Sequence, residues 1–289
     1  MTLGRPTFDW ATVCGARAAV MGIVNVTPDS FSDGGRYLDP EAGYAHGMEL
    51  VGAGADLLDV GGESTRPGAS PVGADEERRR VVPVIERLAR RAGVPISVDT
   101  AKASVAAAAL DAGAAVVNDV TAGSDPEMLA LVAQRGAGFV AMHMLGEPRT
   151  MQADPRYDDV VREVGEFLDA RLDAARDAGV APAALVADPG LGFGKTVAHN
   201  LALLAGLRRL GERLGVPLLV GPSRKAFLGA VLRGVGGPAG VPAPAERGDG
   251  TLAACVWALD EGAKILRVHE PAPIVRARRL LDVIEGARP

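Results

Sequence analysis

Cysteine is nearly absent, with Cys14 and Cys255 the only two in 289 residues. That excludes a disulfide framework and a CxxC metal knot, and the pair reads as two reduced structural thiols. Histidine is also scarce, at 4 residues, and no HExxH or paired His/Asp spacing occurs, which argues against a tightly held structural metal. Aromatic residues make up 4% of the chain, so the core must be built from Val, Leu, Ile and Ala, as suits a parallel sheet buried on both faces. No apolar run approaches the ~20 residues needed to cross a bilayer. Residues 1–13 lack a basic segment followed by an apolar one, so no secretory leader and a cytoplasmic location are expected. The net charge of -5 provides no broad basic field, which excludes nucleic acid as the main partner but leaves room for a local cationic cluster.

What is present is an alternation. Short apolar runs fall at residues 19–24, 56–60, 95–98, 115–117, 139–142, 185–187, 217–220 and 264–268. Helical patterns lie at 40–53, 75–92, 102–112, 125–135, 157–178, 200–214, 249–261 and 271–285. Strand–helix units repeated eight times in a chain of this length predict a parallel α/β architecture, a TIM (β/α)8 barrel forming one domain over residues 1–289. Periodicity alone also admits an open doubly wound sheet. Two connections, 27–39 and 63–73, are long, polar and rich in Gly, Pro, Ser and Asp, the pattern of functional loops. Residues 234–245 read as an uncharged surface loop.

Polar residues follow nearly every apolar run: Asn25; Gly61 to Arg66; Asp99 and Thr100; Asn118 and Asp119; His143; Asp188; and Ser223, Arg224 and Lys225. Arg267 and His269 lie at the end of the eighth. In a parallel barrel these positions converge on one face, where such folds place their chemistry. An isolated Asp there is often only a helix cap, but a ring that also holds Asn, Lys, Arg and His is not explained by capping. Asp99, Asn118 and Asp188 suit a flat, amine-rich heterocycle. Arg66, Lys225, Arg267 and His269 suit an anion such as diphosphate, beside a strand-to-helix turn at Ser223. The segment GLGFGK at 190–195 has neither P-loop nor GxGxxG spacing and reads as a turn bringing backbone close to a ligand.

The runs MGIVNVTPDSFSDGG at 21–35 and DVGGESTRPGA at 59–69 resemble the signatures of the dihydropteroate synthase family. SVDT at 97–100, Asn118-Asp119, MHM at 142–144 with TMQ at 150–152, DPGLGFGK at 188–195, SRK at 223–225 and RVH at 267–269 follow in the family's order and span nearly the whole chain. The resemblance implies a pterin-binding barrel that condenses 7,8-dihydropterin-6-ylmethyl diphosphate with 4-aminobenzoate, giving 7,8-dihydropteroate and diphosphate. By that similarity Asp99, Asn118, Met142, Asp188, Phe193 and Lys225 line the pterin site. Phe31, Thr65, Pro67 and Ser223 shape the 4-aminobenzoate site. Asn25, Thr65, Arg66, Arg267 and His269 surround the diphosphate, with Asn25 helping to hold Mg²⁺. Asp99, Lys225, Arg267 and His269 carry the chemistry. A homodimer through helices of the later half is implied as well. Two alternatives share the fold: a pterin-binding paralogue without activity, and a barrel moving methyl groups from methyltetrahydrofolate to a corrinoid protein. Pro222 and Glu270-Pro271 depart from the family's pattern and put fine substrate geometry in doubt.

Overall fold

The computed structural model describes residues 7–27, 40–65, 68–235 and 240–287. Its strands are β1 (Ala19–Asn25), β2 (Leu57–Gly61), β3 (Ile96–Asp99), β4 (Val116–Asp119), β5 (Gly138–Met142), β6 (Leu185–Asp188), β7 (Leu219–Val220) and β8 (Ile265–Val268). They pair in parallel in the order β6-β5-β4-β3-β2-β1-β8-β7. The remaining gap closes through one parallel bridge, Ala187 with Leu218, where the Ala187 N–H donates to the Pro217 carbonyl at 3.1 Å. β7 is short because Pro217 and Pro222 flank it, and neither has an N–H to give to a ladder. The result is a TIM barrel with helices in its connections, as the alternation predicts.

The helices follow from their patterning. Ala74–Arg91 buries Glu77, Val81, Val84, Ile85 and Leu88, a stripe at helical spacing. Its first turn carries Asp75, Glu76 and Glu77 and its last Arg90 and Arg91, each sign matching the helix dipole. The single helix expected over 200–214 is two, Val197–Ala205 and Leu207–Leu214. Gly206 breaks it where the chain crosses helix Val160–Asp177; a side chain there would lie 3.0 Å from both Val161 methyls. Arg278, buried on the last helix Pro271–Gly286, donates to the Ala18 carbonyl at 2.7 Å and pairs with Asp56. It thereby ties the end of the chain to the entry of β1.

Alternation along each strand divides the barrel interior into layers. Ala19, Met21, Leu57, Val116, Val140, Val186, Leu219 and Ile265 pack together as an apolar lower layer. Trp10 and Cys14, from the short helix Ala11–Cys14 and its cap, complete that cluster. The indole of Trp10 is 1% exposed, and its Nε1–H donates to the Ala184 carbonyl at 2.9 Å. Alternate residues such as Leu58, Val60, Val98 and Val117 face the helices in the larger core. Two positions further along the strands the inward residues become polar: Asp59 after Leu57, Asn118 after Val116, Asp188 after Val186, Arg267 after Ile265. Cys14 and Cys255 are both buried and unpaired. Among the described residues no helix is long and apolar enough to cross a membrane.

Candidate active site

The upper interior layer is organised by Arg267. Its Nε donates to Asp59 Oδ2 and its Nη2 to Asp99 Oδ2, both at 2.6 Å. Asn118 Nδ2 donates to the same Asp59 oxygen at 2.9 Å. β8, β2, β3 and β4 thus each place one side chain in a single network. Burial is what shapes its titration. Desolvation pushes the Asp99 carboxyl up to about 7 against the attraction of Arg267, with Asp59, Glu77 and Asp119 adding like-charge repulsion. Arg267 itself is held charged, the two carboxylates outweighing desolvation. Asp59 Oδ1, Ser97 Oγ and Asn118 Oδ1 are buried with no hydrogen-bond partner among the described residues.

A second charged pair lies across the mouth. Burial raises the Asp188 carboxyl above the usual carboxylate range, opposed by Lys225, and the Gly190 N–H donates to Asp188 Oδ1 at 2.7 Å. Lys225 is brought down to about 8 by desolvation, against the pull of Asp188. Its Nζ donates to the Leu191 carbonyl and sits 4.6 Å from the centre of the Phe193 ring. Lys225 caps the six-residue helix Ala226–Val231. Beside it Ser223 Oγ and His269 Nδ1 lie 2.9 Å apart, and the His269 N–H donates to Ser223 Oγ at 3.2 Å. Asn25 ends β1 and Met142 ends β5, with Met142 buried and paired in register with Asp188. Thr65 is partly buried on the loop after β2. The structure therefore brings Asn25, Thr65, Asp99, Asn118, Met142, Asp188, Phe193, Ser223, Lys225, Arg267 and His269 to the carboxyl ends of the strands. Phe31, Arg66 and Pro67 lie outside the described residues, as does nearly all of 27–39.

Several polar residues of the expected ring serve the scaffold instead. Asp119 accepts from Thr121 N and Oγ1, both at 2.7 Å, and from Gly123 N at 2.8 Å, so it holds its own turn. Arg224 pairs with Glu270, and its N–H donates to Thr251 Oγ1 at 3.1 Å; its φ of 59° is left-handed. Pro271 occupies the first turn of the last helix, a position where a missing N–H costs nothing. His143 is buried against Lys195, Nδ1 to Nζ 2.9 Å, and stacks edge-on with Phe167 at 4.9 Å. Desolvation, with Lys195 beside it, depresses His143 to about 3, so the ring is neutral. Lys195 is brought down to about 7 by the same burial and also donates to the Phe193 carbonyl at 2.9 Å. The glycines of 190–195 answer to this neighbourhood. Gly190 has a φ of +66°, and a Cβ there would lie 1.8 Å from the His143 carbonyl oxygen. The close backbone approach is to the chain after β5.

Asp59 and Lys195 are the residues that reading strand ends missed. Asp59 sits mid-strand, but it shares parity with Leu57 and Gly61, and an acidic residue at an inward position of a buried strand is itself a signal. Lys195 had only its place at the end of the Gly-rich run.

A parallel barrel with buried carboxylates and cations alternating at its carboxyl-end mouth is the architecture of a TIM-barrel enzyme. Residues 21–269 match the model of the pterin binding enzyme family. The chain is 43% identical over 285 residues to the dihydropteroate synthase of Synechocystis sp., covering 98% of this chain and 94% of that protein. The solved structure of Xanthomonas albilineans dihydropteroate synthase with 4-aminobenzoic acid superposes with a TM-score of 0.87 at 49% identity, covering 94% of each chain. That of the same organism's enzyme in complex with 7,8-dihydropteroate gives 0.84 at 46% identity, covering 94% of this chain and 95% of the other. The chain belongs to the pterin binding enzyme family, among its dihydropteroate synthases.

Removing the fork tests the network. Arg267→Met leaves Asp59 and Asp99 buried without their cation, and unfolding in urea should show a loss of about 3–5 kcal/mol near pH 8. Unpaired burial raises the folded-state Asp99 carboxyl further, so folded protein binds a proton that the unfolded chain releases above roughly pH 4. The loss should therefore shrink as the pH is lowered toward 5. A loss that does not change with pH would mean Arg267 contributes packing alone.

Proposed function

We propose that this mouth condenses 7,8-dihydropterin-6-ylmethyl diphosphate with 4-aminobenzoate, forming 7,8-dihydropteroate and diphosphate. The observation that carries the reading is the pair of buried acceptors without donors among the described residues, Asp59 Oδ1 and Asn118 Oδ1, beside Asp99. Buried acceptors call for donors, and the amino and ring N–H groups of a pterin supply them. Asn118, Asp99, Asp188 and Lys225 line that ring, with Met142 and Phe193 against its faces. The dihydropterin ring is electron-rich, so the bond between its methylene carbon and the diphosphate oxygen breaks first, leaving a delocalised cation. Asp99, ionised and fixed by Arg267, stabilises that cation. Arg267 and His269, with Thr65 and Arg66, hold the departing anion. The arylamine nitrogen, guided by Phe31, Thr65, Pro67 and Ser223, then bonds to the methylene and loses a proton. The charges are preset, so little reorganisation accompanies the step. No covalent intermediate with the protein is needed.

Mg²⁺ belongs to this proposal as a companion of the diphosphate. Among the described residues no group of three or more His, Cys, Asp or Glu is placed to hold a metal. A hard cation that keeps its waters and takes its other oxygens from phosphate suits such a site, and Asn25 at the end of β1 offers an amide oxygen. Bound there, Mg²⁺ would neutralise leaving-group charge. Two buried, unpaired cysteines suit a cytoplasmic enzyme. A homodimer suits the exposed apolar residues on the later helices, Trp257, Leu280, Val283 and Ile284 among them.

Purified protein with both substrates and Mg²⁺ should form dihydropteroate and release diphosphate, and omitting any one should abolish product. Pterin binding without product would instead favour a silent paralogue. Asp188→Ala should weaken pterin binding about tenfold or more, the loss of a charge-assisted hydrogen bond. Asp99→Asn should lower turnover roughly a hundredfold, more than it lowers affinity; full turnover in that variant would remove Asp99 from the electrostatic role.

The pH profile follows from the same groups. Asp99 must be ionised, so kcat/KM should rise through about 7, and Lys225 must be protonated, so it should fall again through about 8. Asp99→Asn should erase the acid limb in a kcat/KM titration, and an unchanged limb would assign it elsewhere. Sedimentation at micromolar concentration should find a dimer that Leu280→Glu dissociates; an unperturbed dimer would move the interface off the last helix.

A further inference from the structure

The connection from β2 to helix Ala74–Arg91 leaves the mouth through Gly62 and Glu63 and returns through Val72 and Gly73. Its two ends are fastened to each other. Glu63 Oε1 accepts from the Val72 N–H at 2.9 Å, and Glu63 Oε2 accepts from Lys102 Nζ at 2.5 Å. Lys102 Nζ also donates to Glu77 Oε2 at 2.6 Å. Arg80, on the same helix as Glu77, donates from Nη1 to the Gly62 carbonyl at 2.9 Å. Lys102 follows β3 just past Asp99 and caps helix Ala103–Asp111. One ammonium thus joins the stem of the loop that carries Thr65, the helix that follows the loop, and the turn below Asp99.

Packing does not require this arrangement. Glu77 is fully buried among Val81, Val84 and Ile85, and its Oε1 has no partner among the described residues. An apolar residue there would extend the helix's stripe, whereas a buried carboxylate gives little stability even when paired. Lys102 is held charged, since its two carboxylates outweigh its desolvation. The triad carries one positive charge against two negative ones, and the second carboxylate, Glu63, belongs to the loop stem. What the triad provides is a fixed path for that stem.

We propose that Lys102, bridging Glu77 and Glu63, is a positioning residue that fixes the stem of the β2 loop and so sets Thr65 for the arylamine substrate. The proposal rests on the reading of the site given under Proposed function. Lys102 touches neither substrate; it acts through Glu63. Its signature is selective: loosening the stem raises the KM for the amine more than that for the pterin diphosphate, whose ring contacts come from β3, β4 and β6 and whose diphosphate keeps Arg267 and His269.

The test is steady-state kinetics of the full chain, varying each substrate in turn. Glu63→Gln keeps the Lys102–Glu77 pair and the fold. With a single acceptor oxygen at that end, it retains one of the two bonds made by Glu63 and loses the other. It should raise the KM for 4-aminobenzoate about tenfold, the effect of losing one charge-assisted hydrogen bond. The KM for the pterin diphosphate and kcat should stay within about twofold. Lys102→Met should act in the same direction, and Lys102→Arg, which can fork between both carboxylates, should return the amine KM to within about threefold. If Lys102→Met does not fold, Glu63→Gln still decides. An unmoved amine KM in Glu63→Gln, or equal rises for both substrates, overturns the positioning role. A wild-type chain that makes no dihydropteroate fails the proposed function itself, whereas an active wild type with an unmoved amine KM fails the Lys102 latch alone.

Discussion

The mouth of this barrel depends on one guanidinium held between two carboxylates. Asp59 and Asp99 are withdrawn from solvent, where an ionised carboxylate is tolerated only beside a cation. Arg267 meets both at 2.6 Å from adjacent corners of its planar fork. Lysine, a point charge on a flexible stem, would not fix both in one plane. Once this fork is set, Asn118 is oriented through Asp59, and the acceptors left over are fixed toward whatever donor enters. Asp188 and Lys225 also attract one another, with the Lys225 ammonium anchored on the Leu191 carbonyl. The two clusters present acid and base in fixed places, so most of the electrostatic work is complete before substrate arrives.

Two further features protect that arrangement. Below it, Trp10 and the lower layer of Met21, Leu57, Val116, Val140, Val186, Leu219 and Ile265 form a dry floor, which keeps the charged layer in a low dielectric and gives the raised carboxyls and lowered lysines their physical cause. Beside it, Gly190, Gly192 and Gly194 adopt left-handed φ values of 66°, 81° and 63°; Gly190 and Gly194 lie close to the chain after β5, and Gly192 lies against the Lys225 side chain. Lys195 and His143 fasten this approach. The Phe193 ring and the Leu191 carbonyl that meet Lys225 are presented by the same turn, so the conformation of the glycines and the placement of a site lysine are one constraint.

Much of this was legible beforehand, for identifiable reasons. Strand ends such as Asn25, Asp99, Asn118, Asp188 and Arg267 stand out because a polar residue interrupts an apolar run just where a parallel strand must stop. What escaped notice depends on contacts distant in sequence. Asp59 looked like one more residue of a signature, and its role appears only when Arg267 crosses the barrel to meet it. In sequence Lys195 is only the end of a glycine-rich run; its contact with His143, 52 residues away, exists only in the fold. The break at Gly206 needed Val161 from another helix, and the two-residue length of β7 needed the partner ladders that Pro217 and Pro222 cannot serve.

The sequence by itself determined the alternation of strands and helices, the barrel, and which face would carry chemistry, because period and residue type are local properties that each segment declares alone. It also carried the family signatures, since these are contiguous runs. Only the tertiary structure decided which polar residues of the ring meet at the barrel mouth and which hold the scaffold, as Asp119, Arg224 and His143 do. It alone paired Arg267 with Asp59 and Asp99, and Lys102 with Glu63 and Glu77. Those assignments are set by burial and by distances between residues far apart in the chain, and neither quantity exists until the barrel closes.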